Sequence, residues 1–191
     1  VPMQGTLRNV QRAPDPVVRQ PRSFGEQIKA GLPGLSTEVE PMLSRYGEPI
    51  VRAGGPIQRS IAVPEMEPQR RDWIDDELNR LNIQIGRPGT RVEIRNPMTG
   101  ELYRLSPEQT TAIRESRGKA TRAELAILMG IPGYSDLPDE LKRELIARAR
   151  SQASRDVGDA AELSAISGDF GALEALLQPQ RQIARESYRR E

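Results

Sequence analysis

Three pairs of acids are the first residues whose spacing suggests chemistry: Glu38 with Glu40, Asp75 with Asp76, and Asp139 with Glu140. Two carboxylates do acid–base work when they converge on one cleft with separated pKa values. Neighbours on a helix diverge instead, so these pairs read as caps and solvated surface. "RGKAT" at 117–121 carries the Gly-Lys of a phosphate loop. It lacks the first glycine of that motif and the strand before it, and it falls in the middle of a helical pattern. The chain has no cysteine and no histidine, so disulfides, thiolate nucleophiles, imidazole bases and the usual zinc ligands are excluded. Any reaction would have to run on carboxylates, lysine, serine or tyrosine. The expectation is a chain with no catalytic residue, no cofactor site, no metal site and no small-molecule substrate.

The elements that would carry these residues come from a thin stock of apolar side chains. Of 191 residues, 36% are hydrophobic and only 4% aromatic, against 29% charged. That composition favours an irregular, extended or oligomer-dependent chain of low compactness. Lysine and arginine number 28 against 27 acids. Overall charge therefore argues for no nucleic-acid partner. The basic N-terminal arm and the tail "RQIARESYRR" allow at most non-specific contact with DNA. Tyr46, Trp73, Tyr103, Tyr134 and Tyr188 are too scattered to stack on a single strand. No apolar run approaches the roughly 20 residues that span a bilayer. The sequence starts at Val1 rather than methionine, which reads as a fragment, a processed product or the ordered part of a longer chain.

Proline placement divides the chain. Ten of the sixteen prolines lie within residues 1–68, and proline removes a backbone donor and biases the preceding residue away from helix. Residues 1–72 are expected to form an extended arm with short helical anchors, lying along a partner or acting as a linker. Ser23 with Glu26 opens one short helix, to about Ala30. Residues 73–191 are expected to be helical. "DWIDDELNRLNI" sets Trp73, Ile74, Leu78 and Leu81 on one face. Residues 91–105 read as a β-hairpin turning at "NPMTG", which must pack on a helix or on another chain. "SPEQ" starts a second helix, with Ser106 as cap, Pro107 in the first turn and Gln109 closing a capping box. It runs to Met129, loosened at Gly118. A third helix is capped by Asp136, with Pro138 in its first turn and a stripe of Leu141, Leu145, Ile146 and Ala149; helix then continues in alanine-rich pieces. The fold class is mainly α with one small hairpin.

"GLPGLSTEVEPMLSRYGEPI", residues 31–50, is too apolar for a linker and too broken for a core helix. Pro41 fits a helix only in its first turn, so its helical part is expected from about Glu40 to Arg45. Leu32, Leu35, Val39, Met42, Leu43 and Tyr46 are the candidate partner-docking residues. Which surface they meet, on this chain or another, is open at this level.

The order of motifs resembles the C-terminal region of the very large internal virion proteins of tailed bacteriophages, also described as large polyvalent, ejection or internal core proteins. The matching residues are Pro33, Gly34, Leu35, Pro41, Tyr46, Gly47, Pro49, Leu105 to Gln109, and Leu137 to Leu141. The likeness covers roughly residues 24–155. It implies a non-enzymatic structural segment of the virion that assists genome delivery through oligomeric assembly. The implied partners are copies of itself, a portal or other internal proteins, in the capsid interior or near the portal. A head-to-tail connector and a fragment of a peptidoglycan-degrading virion enzyme are the alternatives. Relatives can carry a peptidoglycan-cleaving domain upstream, and nothing in this sequence matches one. The Glu115-Ser116 pair is similar to that of lytic transglycosylases, but the surrounding motifs of that family are missing.

Overall fold

A computed structural model describes residues 15–21, 23–31, 34–51, 72–89, 93–96 and 98–167. It is mainly helical, with one two-stranded antiparallel hairpin. The chain divides into two units: Val1–Ser44 with Pro49–Gln69, and Arg45–Glu48 with Arg70–Glu191. Four residues of the expected arm, Arg45–Glu48, belong to the second unit. Residues 1–14 and 52–71 of the expected arm lie outside the described residues.

In the first unit, α1 (Phe24–Gly31) begins where expected, with Ser23 Oγ accepting from the Glu26 N–H at 3.2 Å. Past α1, the described residues of this unit form a 3-10 turn, Ser36–Glu38. The helix expected from Glu40 to Arg45 does not form. Val39 is extended at φ −91° and ψ 137°, and Pro41 and Leu43 lie in isolated bridges to Arg19 and Pro49. Pro41 disfavours helix at Glu40, and the Met42 N–H is taken by the Val18 carbonyl at 2.7 Å. The Ile50 N–H donates to the Met42 carbonyl and the Val18 N–H to that of Ile50, both at 2.8 Å. Residues 17–20 therefore pair with this chain's own residues 40–42 and 50–51.

In the second unit, α2 (Trp73–Arg80) is followed by the hairpin, β1 (Glu93–Arg95) and β2 (Leu102–Arg104). Its register sets Ile94 opposite Tyr103. In the turn, Asn96 Oδ1 accepts from the N–H groups of Met98 and Thr99, and Gly100 supplies the left-handed residue at φ 76°. The hairpin packs on helices: Ile94 and Leu105 share a buried cluster with Ile113, Ala120, Ala153, Val157, Ala160 and Ala161.

Helix α3 (Pro107–Met129) has the complete capping box. Ser106 Oγ accepts from the Gln109 N–H at 3.2 Å, and Gln109 Oε1 accepts from the Ser106 N–H at 2.8 Å. The helix is unbroken through Gly118, contrary to the expected loosening. Helix α4 (Asp139–Ser167) runs unbroken into the alanine-rich region, and the interruptions expected near Gly168 and Pro179 lie outside the described residues. Asp136 does not cap it. Gly133, at φ 85°, turns the chain into a 3-10 turn Tyr134–Asp136, and Leu137 is extended before Pro138. The first helical bond runs from the Lys142 N–H to the Pro138 carbonyl at 3.0 Å. Of the expected stripe, Ile146 is buried but Leu141 is exposed; Lys142 is buried in its place. The Lys142 stem packs inward while its ammonium donates to the Ser135 carbonyl at 2.7 Å, 5.3 Å from the Tyr134 ring centroid. Small residues, Ala120 and Ala123 on α3 and Ala153 and Ala160 on α4, are buried where these two helices meet.

Candidate functional site

The second unit is organised around Tyr46, which comes to it in the turn Arg45–Glu48. Its ring is buried in a cluster with Ile74, Leu78 and Leu81 at α2, Leu125 of α3 and Ile146 of α4. A phenol inside an apolar cluster needs a partner for its O–H. Tyr46 Oη donates to Asp75 Oδ1 at 2.6 Å. Burial and then this carboxylate push the phenol's pKa well above its ordinary value of 10.0, so it stays protonated and donates.

Asp75 is held by its position in the first turn of α2. The N-cap of that helix is Asp72, whose Oδ1 accepts from the Asp75 N–H at 2.9 Å. The other oxygen, Oδ2, accepts from Arg122 of α3. Arg122 is 1% exposed and its guanidinium carbon stands 5.2 Å from the centroid of the Tyr46 ring. Arg45 pairs with Asp75 at 3.5 Å and also lies over the ring, at 5.9 Å. Two carboxylates and two guanidiniums thus surround one aromatic ring, and the set is formally neutral. Buried charges persist when paired in this way.

Beneath the turn, the backbone of Tyr46 and Gly47 lies directly on α3. A Cβ placed on Gly118 would fall 2.2 Å from the Gly47 nitrogen and 2.4 Å from the Tyr46 carbonyl carbon. Gly47 is left-handed at φ 75°, and a Cβ there would fall 2.3 Å from the Glu115 carbonyl oxygen. Two glycines therefore let backbone rest on backbone. The arrangement holds a turn.

Of the candidate docking residues, Leu32 lies outside the described residues. Val39, Leu43 and Tyr46 are buried within the chain, Met42 is half-buried and Leu35 is exposed. Tyr46 thus docks on its own chain, not on a partner, because α2 and α3 supply both an apolar socket and a carboxylate for its hydroxyl. The acid pairs separate as neighbours on a helix should: Asp75 faces inward and Asp76 outward. Asp139 pairs with Arg80 at 2.9 Å, and Glu38 with Lys29 at 2.8 Å. Lys119 of "RGKAT" pairs with Glu115 at 3.4 Å. A hollow of about 350 Å³, lined by Leu81, Ile83, Ile146, Arg143 and Arg150 among others, includes none of these acids.

Sequence reasoning missed Asp72, Gly118 and Arg122. Asp72 stands just before the first apolar residue of a helical pattern, which is a cap signal. A glycine inside a strong helix pattern signals close packing. Nothing local distinguishes Arg122 from its exposed counterparts. Among the described residues, no group of acids could hold a metal and no helix is long and apolar enough to cross a membrane. No protein family, curated protein or solved structure matches this chain.

Proposed function

We propose that this chain is a non-enzymatic structural component of a bacteriophage virion, an internal or ejection-protein segment that assists genome delivery by assembling with other virion proteins and with copies of itself. The observation that carries the assembly role is the outer face of α1. Phe24 and Ile28, one helical turn apart, are 78% and 52% exposed, while Ala30 on the same helix is buried. Leu35, close behind in the same unit, is also exposed. Grouped large apolar side chains in water mark a docking surface. The placement in a virion rests on the ordered motifs of residues 24–155. The commitment of Tyr46, Asp72, Asp75 and Arg122 to one another supports a structural use of the residues best suited to chemistry.

The test is electron microscopy of the intact particle together with a Phe24→Asp, Ile28→Asp chain. The wild-type chain is expected inside the capsid or at the portal, with α1 against a neighbouring protein. The doubly substituted chain is expected to be lost from particles. Incorporation at the wild-type level would refute the role of α1, and absence of the wild-type chain from particles would refute the virion assignment.

A further inference from the structure

We propose that the hollow between the end of α2 and the first half of α4 is a docking site for an acidic segment of another protein, one in which two carboxylates flank a large apolar residue. The proposal rests neither on the virion reading nor on α1, and either can fail alone.

The hollow is built by the way α2 ends. The Ile83 N–H donates to the Leu78 carbonyl at 2.8 Å and the Asn82 N–H to that of Asn79 at 3.0 Å, with Asn82 left-handed at φ 55°. This close turns the chain back, so that Leu81 and Ile83 line the hollow of about 350 Å³ together with Ile146 and Ala147 of α4. Leu81 and Ile146 belong to the buried cluster around Tyr46, and Ile83 packs against it. The floor is therefore continuous with the apolar core. Its volume lies at the small end for a ligand site.

The charge around this floor is one-sided. Arg143 and Arg150 line the hollow, and no acid does. On the same helix Asp139 is held by Arg80 and Glu144 by Arg148, while Glu140 is exposed and does not line the hollow. Arg143 Nε donates to the Leu81 carbonyl at 3.2 Å, which fixes the side chain at the rim and leaves its terminal nitrogens for a ligand. Arg150 is half-buried and makes no hydrogen bond or ion pair among the described residues. Such a guanidinium gains from a carboxylate, and a charge-assisted pair is among the strong hydrogen bonds. The two arginines are rooted two helical turns apart, about 10 Å along the axis, with Ile146 and Ala147 between them. In an extended segment, residues i, i+2 and i+4 share one face, and the outer two stand about 13 Å apart. Acids at the outer positions meet the two guanidiniums, and an apolar residue at the middle position enters the hollow. Nucleic acid fits less well, because a phosphate backbone calls for a run of cations and has no use for an apolar floor.

The test is a nuclear magnetic resonance titration of the isotope-labelled full chain with a synthetic peptide, Asp-Ser-Leu-Ser-Asp, blocked at both ends. Amide shifts are expected at Asn82, Ile83 and Ala147, and they are expected to shrink as salt is added. Arg150→Glu is expected to weaken binding about tenfold or more. Because Arg150 pairs with nothing among the described residues, this variant is expected to keep its helical circular dichroism. Ala147→Trp, at an exposed position, fills the hollow without changing its charge and is expected to abolish binding. A peptide with serine in place of leucine, or with asparagine in place of both aspartates, is expected not to bind. No shifts with millimolar peptide, shifts confined to other parts of the chain, or equal binding of the serine peptide would overturn the proposal. Binding of a short DNA duplex at these arginines, with no binding of the peptide, would overturn it too. A negative result leaves the virion assignment standing, because no particle is involved.

Discussion

Gly118, midway along α3, and Gly47, in the Tyr46 turn, meet backbone to backbone, with 2.2 Å between the Gly47 nitrogen and the place a Gly118 Cβ would occupy. Two effects then oppose each other when Gly118 becomes alanine. Helix propensity favours alanine by about 1 kcal/mol. The clash is with backbone, which cannot swing aside, and overpacking of this kind costs about 1–3 kcal/mol or more. Gly118→Ala is therefore expected to lower stability in urea unfolding, whereas an exposed helical glycine would give a rise. A more stable Gly118→Ala chain would show that the turn does not sit on α3.

Tyr46→Phe keeps the ring and removes the hydroxyl from Asp75. The bond is short, buried and made to an acid, so its loss is expected to cost about 1–3 kcal/mol. Tyr46→Ala also empties the socket between Ile74, Leu125 and Ile146 and is expected to cost about 3–5 kcal/mol. Chemical denaturation of the two variants separates the hydroxyl from the ring. Equal losses would mean that the hydroxyl–Asp75 bond contributes little beyond the packing.

Asp72 does two jobs with two oxygens, and substitution separates them. Asp72→Asn retains an N-cap oxygen for the Asp75 N–H but leaves Arg122 facing a neutral amide. Asp72→Ala loses the cap as well, worth about 1 kcal/mol. Breaking a buried ion pair from one side costs about 3–5 kcal/mol. Both single variants are thus expected to be strongly destabilised. Asp72→Asn combined with Arg122→Met removes both charges and is expected to recover much of the loss. Additive losses in that double-mutant cycle would rule out direct coupling.

Glu124 on α3 gives the fold a pH dependence of definite sign. Burial, and secondarily the charge of Asp156 on α4, hold its carboxyl above the ordinary value of 4.5. The folded state then binds this proton more tightly than the unfolded state. Its contribution favours folding at low pH and fades as pH rises through the folded value. Glu77 and Asp139 act oppositely. Hydrogen bonds from Arg80 depress both, so their contribution is present above their unfolded values and lost as pH falls. Glu124→Gln is expected to match the wild type near pH 4 and to exceed it in melting temperature at pH 7. A difference that does not grow between those two values would contradict the assignment.

The elements with local signals were legible in the sequence. Ser106, Pro107 and Gln109 fix the start of α3 because a capping box is made by residues three apart and needs nothing distant. Ile94 in an alternating run before "NPMTG" gives the hairpin for the same reason. The stretch from Glu40 to Arg45 was misread because its backbone groups pair outside it: the Met42 N–H donates to Val18, and the Glu40 and Met42 carbonyls accept from Gln20 and Ile50. Lys142 and Leu141 exchanged roles on α4 because the Tyr134 ring and the Ser135 carbonyl, supplied by the preceding turn, make the inner side hospitable to an ammonium.

The sequence by itself determined the helical class, the hairpin, the cap of α3 and the absence of thiol and imidazole chemistry, since each depends on residue type and near neighbours. It also marked residues 31–50 as more than a linker. Only the tertiary structure decided what that stretch does. Tyr46, Asp75, Asp72 and Arg122 come from three separate parts of the chain, and the two glycines that admit the turn lie 71 positions apart. A ring seated between helices and a close backbone contact depend on distances across the fold, and no local spacing in the sequence encodes them.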